Sequence, residues 1–397
     1  MEARTKDAAA QRRETHGSTP FDAGAVIRAL ARPRMTGGPG ADGVEADLRG
    51  RFESLGFQVR DLPFHFSMTA GRFSVTKIAA VYTLGVFVAM LLLISGMPAG
   101  AVATLVTTLL LMLITAGYVR RDGLESLPWG RSEATNLWIQ RPGARPRYVF
   151  MAHRDSKSQF LPLSFRGPVI LIAILAFIVL AVLAFLSLAR FVGTGPVLFT
   201  GIIAFICGLL LVVSWAADYS PGALDNASGL ATLLGIAARE KDATDVAFLI
   251  TDAEELGLAG ARAIASRLPP VFGVINVDSI DDEGTFIVAE RFGWPRPAGL
   301  APHLAAAILG AASALDLDAQ RRDVPFGIML DHMPIVKAGT PALSVMRGTL
   351  GSLHRIHRPA DSADHVSGAG VTQCIDLLCA ALGQLRTREA HARPPAA

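Results

Sequence analysis

The chain has 397 residues, enough for one large or two ordinary domains, and 51% of them are hydrophobic. With a mean hydropathy of +0.41 it is too apolar for a purely soluble protein, so part of it is expected in lipid. The formal net charge is only +3 with the basic residues scattered, which excludes a nucleic-acid-binding stripe, and Cys207, Cys374 and Cys379 give no disulfide framework.

The first twenty residues are polar, carry Arg4, Lys6, Arg12 and Arg13, and lack the apolar core of a cleavable signal, so a disordered tail is expected there. Four uncharged stretches of membrane-spanning length follow in two pairs, about 78–94 with 99–118 and 167–189 with 196–216. The intervening turns, SGMPAG and RFVGTG, are short, which predicts two antiparallel hairpins with Gly and Pro at the helix ends. A buried core helix is the plainer reading of any one such stretch, but the four together weigh against it. An even number of spans leaves everything outside the two turns on one side of the bilayer. That side carries Arg72, Lys77, Arg120, Arg121, Lys157 and Arg166, whereas the turns offer only Arg190, so the hydrophilic mass of an inner-membrane protein is expected in the cytoplasm.

Outside these stretches, β-rich runs alternate with amphipathic helical ones. YVFMAH, VAFLIT, VFGVINVD, GTFIVAE and PALSVM read as buried strands, and SGLATLLGIAARE, GLAGARAIASRL, LAPHLAAAILGAASAL and VTQCIDLLCAALGQL as helices. This alternation predicts an α/β fold, a largely parallel (mixed) central sheet with helices on both faces, carrying the four spans as two inserted hairpins. Functional side chains then belong just past the carboxyl ends of strands.

Five short segments supply acidic and imidazole groups there: MAHRDS with His153 and Asp155, ALDNASG with Asp225, DAEELG with Glu254 and Glu255, INVDS with Asp278, and HRPADS with His357. Imidazole nitrogen and carboxylate oxygen suit hard and borderline cations, and a two-metal site needs about two terminal ligands per ion, a shared carboxylate and a free base. Each residue has a plainer structural alternative. The histidines could be hydrogen-bonded core or loop residues, Asp225 a helix N-cap, Glu254 and Glu255 a solvated first turn, and Asp278 a turn residue. Against these stands the joint pattern, because an acidic pair directly after an apolar strand is costly if buried without a counter-charge.

The segments resemble the two-zinc exopeptidases of metallopeptidase family twenty-eight, which includes bacterial leucyl aminopeptidases and glutamate carboxypeptidase; glutaminyl cyclases share its fold. Residues 29–64 resemble the family's opening helix and first strand, and TNLWIQRPG from Thr135 the strand leading toward the first ligand. The resemblance implies that Asp225 bridges two zinc ions, with His153 and Asp278 completing one and Glu255 and His357 the other. Asp155 would orient the His153 imidazole, and Glu254 would be the general base that moves a proton from water to the leaving amine. Leu224 and Arg154 depart from the pattern without removing a ligand. DHMPIVKAGTPAL resembles the Asp-His segment ahead of the last strand, which would place Asp331 and His332 near the substrate, a helix cap being their plainer alternative. The pattern His-Arg-Pro-Ala-Asp selects His357 over His354.

His153 and Asp225 are separated by the whole second hairpin, and the nine residues from Ala216 to Asp225 span roughly 30 Å even when extended. The metal centre is therefore expected close to the membrane surface. The expected division is a tail at 1–20, peptidase-domain pieces at 21–72, 121–166 and 218–386, hairpins at 73–120 and 167–217, and a tail at 387–397. Three functions follow: a membrane-anchored zinc aminopeptidase, a zinc amide hydrolase acting on acylated or lipid-linked substrates, or a non-catalytic membrane scaffold. The expected partners are a peptide or amide substrate and membrane lipid, and no nucleic acid. A free base beside a metal ligand argues against the scaffold, and the absence of ionisable residues from the spans argues against a transporter.

Overall fold

A computed structural model describes residues 21–121, 123, 126–293, 296–325 and 328–392; the tail expected at 1–20 lies outside them. The chain begins with α1 (Ala23–Leu30), capped by the Asp22 carboxylate, which accepts from the Ala25 amide at 2.8 Å. Next come α2 (Pro39–Ser54), β1 (Gln58–Ser67), the short α3 (Met68–Arg72) and a long hairpin of α4 (Ser74–Ile94) and α5 (Pro98–Arg121). Strands β2 (Arg131–Gln140) and β3 (Tyr148–His153) precede the second long hairpin, α6 (Leu163–Ser187) and α7 (Thr194–Val212). There follow α8 (Ser228–Arg239), β4 (Val246–Thr251), α9 (Ala259–Ala265), β5 (Gly273–Ile280), β6 (Thr285–Arg291) and α10 (Pro302–Ala314). The chain closes with β7 (Ala319–Asp323), α11 (His332–Lys337), β8 (Ala342–Gly348), α12 (Leu350–Arg355) and α13 (Ala369–Ala392).

The eight strands form one mixed sheet in the order β1-β2-β4-β3-β5-β8-β6-β7. Its centre, β4-β3-β5-β8, is parallel, while β1-β2-β4 and the β6-β8 pair are antiparallel. Every residue of β3, β4 and β5 is buried, as continuous apolar strands covered on both faces must be. Alternation divides β3: Tyr148, Phe150 and Ala152 join the larger core under α1, α8, α10 and α13, and Val149 and Met151 join the smaller one under α9 and α11.

Strand β7 was not anticipated. Its sequence AQRRD has one apolar residue in five, and it pairs only at the sheet edge, where a solvated face removes the pattern that marks a buried strand. The last helix runs to Ala392, past the expected boundary at 386, and residues 393–397 are not described.

Among the described residues, four helices are long and apolar enough to cross a membrane: Thr76–Ile94, Pro98–Tyr118, Leu163–Ser187 and Thr194–Val212. Each packs on its hairpin partner and on one helix of the other hairpin, which closes a four-helix bundle. Small residues permit the close approach, since a Cβ on Gly85 would meet the Thr108 hydroxyl and one on Gly208 the Thr83 hydroxyl. The outward faces carry Leu84, Ile114, Phe185 and Phe199, all well exposed.

Both hairpins are stapled where they leave the sheet. Ser158 and Ala217 exchange two backbone hydrogen bonds, 2.7 and 2.9 Å, across the neck of the second hairpin. The Ala216 amide donates to the Arg72 carbonyl at 3.1 Å, which ties that neck to the first. A Cβ on Gly71 would lie 2.4 Å from the Leu256 carbonyl oxygen in the loop after β4. Gly71→Ala is expected to destabilise the protein by roughly 1–3 kcal/mol because a backbone atom cannot swing aside. The check is a lowered thermal midpoint in detergent.

Candidate metal centre

Three parallel strands deliver the first groups. His153 ends β3, Glu254 and Glu255 occupy the turn directly after β4, and Asp278 lies near the end of β5. Asp225 comes from the turn leading into α8, and His357 from the loop after α12, where its φ is +63°. All six side chains are buried.

The turn at Asp225 is held from both sides. Its peptide bond to Asn226 is cis. The Asn226 carboxamide donates to the Val277 carbonyl at 2.9 Å and accepts from the Gly229 and Ser279 amides at 3.0 and 3.2 Å, fastening the turn to β5. The Asp361 carboxylate accepts from the Leu224 and Asp225 amides at 2.7 and 3.1 Å. Asp225 is thus no helix cap; its carboxylate is left to face the imidazoles. The Asp155 carboxylate accepts from the Glu254 and Glu255 amides, both at 3.1 Å, and has one oxygen 3.5 Å from His153 Nδ1. One buried acid therefore positions the first histidine and the acidic turn together.

One Asp225 oxygen lies 3.1 Å from His153 Nε2 and the other 3.1 Å from His357 Nε2. His153 Nε2 is also 3.9 Å from an Asp278 oxygen, and His357 Nε2 is 3.1 Å from a Glu255 oxygen. Two groups of potential ligands result, His153 with Asp225 and Asp278, and Asp225 with Glu255 and His357; within each, the donor atoms lie within 4.8 Å of one another. Imidazole nitrogen with carboxylate oxygen suits a divalent cation of zinc type. The fit is supported by atoms left without hydrogen bonds, His153 Nε2 and Glu255 Oε1, both buried at the centre of the set.

The electrostatics agree. Burial pushes the Glu254 carboxyl well above its usual range, with Glu255, Asp331 and Asp278 adding repulsion and His153 opposing. Burial, aided by Asp225, pushes Asp278 up to about 6. Burial would also raise Asp225, yet the His153 and His357 imidazoles close to its two oxygens hold it below the ordinary carboxylate range. Burial disfavours charge on His153, but Glu254, Asp155 and Asp225 outweigh it and raise that imidazole; Glu255 and Asp225 do the same for His357. Positive charge is therefore stabilised at both imidazole positions, which is the field a pair of cations would use.

Asp331 and His332 lie one layer back. Both are fully buried and neither lines the cavity at the cluster. Asp331 opens α11 without capping it and accepts from the Thr251 hydroxyl, while His332 Nδ1 pairs with the Ser344 hydroxyl at 2.7 Å. His354 is exposed and bonded to Ser164 and Arg358, so of the two histidines in this segment only His357 joins the cluster.

Sequence reasoning missed several supports. Asp252 accepts from the Thr36 hydroxyl and pairs with Arg154, each at 2.7 Å, and Arg154 also pairs with Glu45. Arg154 beside the first histidine and an acid at the end of an apolar strand were the available signals. Arg34 is fully buried and donates to the carbonyls of Arg154, Pro221 and Gly222, although its local sequence ARPRM reads as an ordinary loop. Lys157 Nζ lies 2.7 Å from a Glu255 oxygen. Asp361 stood inside the HRPADS segment without an assigned role.

A mixed α/β sheet that gathers two imidazole–carboxylate groups around one shared aspartate, at the carboxyl ends of its strands, defines a metallohydrolase type of centre. The chain belongs to Peptidase family M28, which matches residues 136–382. Among solved structures it resembles the zinc aminopeptidase BSAP from Bacillus subtilis, with 14% identity, 93% of this chain and 96% of that one covered, and a TM-score of 0.54. The Fimbriiglobus ruber glutaminyl cyclase is similar at 15% identity, 92% and 96% coverage and a TM-score of 0.52. An aminopeptidase from Aneurinibacillus sp. strain AM-1 follows at 14%, 91% and 93%, and 0.52. At these identities the likeness is one of fold. No curated protein matches the chain.

Removing Asp252 tests the layer behind the cluster. Asp252→Ala would leave the buried Arg154 guanidinium with Glu45 alone, and a loss of about 3 kcal/mol is expected. Denaturant unfolding of the purified protein measures it.

Proposed function

We propose that this protein is a membrane-anchored two-zinc exopeptidase acting as an aminopeptidase, with its catalytic domain at the cytoplasmic surface of the inner membrane. The observation that carries the reading is the division of the Asp225 carboxylate, one oxygen toward each imidazole. Membership of a peptidase family and likeness to a zinc aminopeptidase support zinc as the metal. The apolar outward faces of four long helices support insertion, since soluble monomers rarely expose contiguous apolar surface of that extent.

In this reading His153 and Asp278 hold one ion, Glu255 and His357 the other, and Asp225 both. Asp155 fixes the His153 ring and the Glu254–Glu255 turn. Zinc bound there supplies Lewis acidity, which polarises the scissile carbonyl and lowers the pKa of the attacking water. Glu254 belongs to neither ligand group and its side chain makes no hydrogen bond to the described residues, yet it lines the same cavity. Its carboxylate takes the proton released by the water and returns it to the leaving amine. Burial raises its proton affinity above that of an ordinary carboxylate, the direction a general base needs.

A second reading, hydrolysis of acylated or lipid-linked amides, is favoured by the cavity itself, whose lining includes Ile78, Leu163 and Arg166 from the long apolar helices.

Glu254→Gln is expected to keep the parent zinc content while kcat on aminoacyl amides falls by roughly 10² to 10⁴. Metal analysis and steady-state rates on one preparation decide it, and parent-like turnover would remove Glu254 as the base. Asp225→Ala is expected to lose both ions together, leaving less than one zinc per chain after dialysis.

A further inference from the structure

The cavity at the candidate metal centre, about 230 Å³, is only half built by the sheet. Its other wall is made by the roots of the apolar helices: Arg72 just before the first hairpin and Ser74 at its start, Leu163 and Arg166 at the start of α6, and Ser214 and Ala216 after α7. That wall contains two guanidinium groups. Arg72 Nε donates to the Ala216 carbonyl at 2.8 Å. Arg166 Nη1 donates to the Gln159 side-chain oxygen at 3.3 Å, and the Gln159 amide nitrogen donates in turn to the Ser214 carbonyl at 3.2 Å. The two arginines therefore flank one short segment, Ser214 to Ala216. The Gln159 backbone amide donates to the His357 carbonyl at 2.8 Å, which couples this wall to the ligand cluster.

Neither arginine makes a direct ion pair with a carboxylate among the described residues, although the charge of Glu255 across the cavity reaches Arg166. Lys157, the third cation of the cavity, is already paired with Glu255 at 2.7 Å. Arginine keeps its charge at any working pH, and its fork is shaped for a carboxylate, so two half-buried guanidiniums facing a cavity and held there by carbonyl and carboxamide oxygens form a wall suited to an anion. Apolar side chains line the rest: Ile78, Leu353, Ile356, Ile328, Met329 and Met346.

We infer that the substrate is an amide bearing a free carboxylate on one side of the scissile bond and an apolar group on the other, the carboxylate being held by Arg72 and Arg166. Two kinds of molecule share that chemistry: a short peptide with a free C-terminus and an N-acyl amino acid. The inference rests on the hydrolase reading and narrows it, since specificity would come from the hairpin roots. Hydrolysis adds one water across the C–N bond, giving a carboxylic acid and an amine, and the substrate's own carboxylate is unchanged throughout.

The test uses the full-length zinc-loaded protein in phosphatidylcholine nanodiscs and two matched pairs, an apolar dipeptide with its C-terminal amide and an N-acyl amino acid with its carboxamide. The parent is expected to favour the carboxylate member of at least one pair, the pair identifying the source. Arg72→Gln and Arg166→Gln are each expected to lower that kcat/KM ratio roughly 10- to 100-fold, as for loss of a charged hydrogen bond, chiefly through KM. Arg166→Lys should restore part of it. In calorimetry, the Glu254→Gln protein is expected to bind the carboxylate member, and the same protein carrying Arg166→Gln to bind it at least tenfold more weakly.

Equal parent rates on both members of each pair would overturn the inference while leaving the hydrolase reading intact. So would arginine variants that slow both members alike, which would make the side chains structural. Variants that change only retention on anionic nanodiscs would reassign the arginines to lipid headgroups and also overturn it. No hydrolysis of these amides or of any aminoacyl amide would sink both readings.

Discussion

Each oxygen of Asp225 lies 3.1 Å from a different imidazole, and that double engagement requires three remote parts of the chain to meet within one hydrogen-bond length. His153 is fixed by the end of β3, His357 by a loop with a left-handed backbone, and Asp225 by a turn whose backbone amides are claimed by Asp361. A carboxylate able to face two partners must not spend an oxygen on its own backbone. Asp361 and Asn226 perform the local hydrogen bonding that would otherwise draw Asp225 into a cap.

The same division of labour recurs around the centre. Asp155 satisfies the amides of Glu254 and Glu255, Asp252 neutralises Arg154, and Arg34 gathers carbonyls from two loops that cross behind the site. The groups at the cavity can thus face one another because the charges behind them are matched. A buried acid without such support would protonate or unfold its loop.

The segments bearing His153, Asp225, Glu254, Glu255, Asp278 and His357 were legible because each stands at the end of a strongly apolar strand or in a turn punctuated by Gly or Pro. The central strands were equally plain, since burial on both faces leaves an unbroken apolar run. Strand β7 was not, because an edge strand rich in Arg and Gln looks like a loop. Arg34 was also invisible: its role depends on a carbonyl 120 residues away, and no local periodicity encodes that; Asp252 showed only as an acid at the end of an apolar strand, its guanidinium partner lying 98 residues away. Asp331 and His332 had the right types in the right order, yet burial behind β4 and β8 separates them from the cavity that their segment helps to line through Met329 and Leu330.

Where the hairpins leave the sheet decides what they can do. Strand β2 runs antiparallel to β4, so its beginning at Arg131 lies at the edge where β4 ends and the acidic turn begins. The first hairpin enters there, between the paired ends of β1 and β2. The second leaves after β3, at the same edge, and returns through the Ser158–Ala217 staple just before Asp225. Because both necks open on the edge that carries the ligand cluster, the apolar bundle rises over the site instead of hanging from the far side of the sheet. A membrane around that bundle would lie on the cavity side, and the helix roots, which line the cavity, would then be its anchor as well. In the proposed reading a substrate would enter between the strand ends and the bilayer surface, past Arg72 and Arg166, and the inserted segments would share in the specificity of the centre they interrupt.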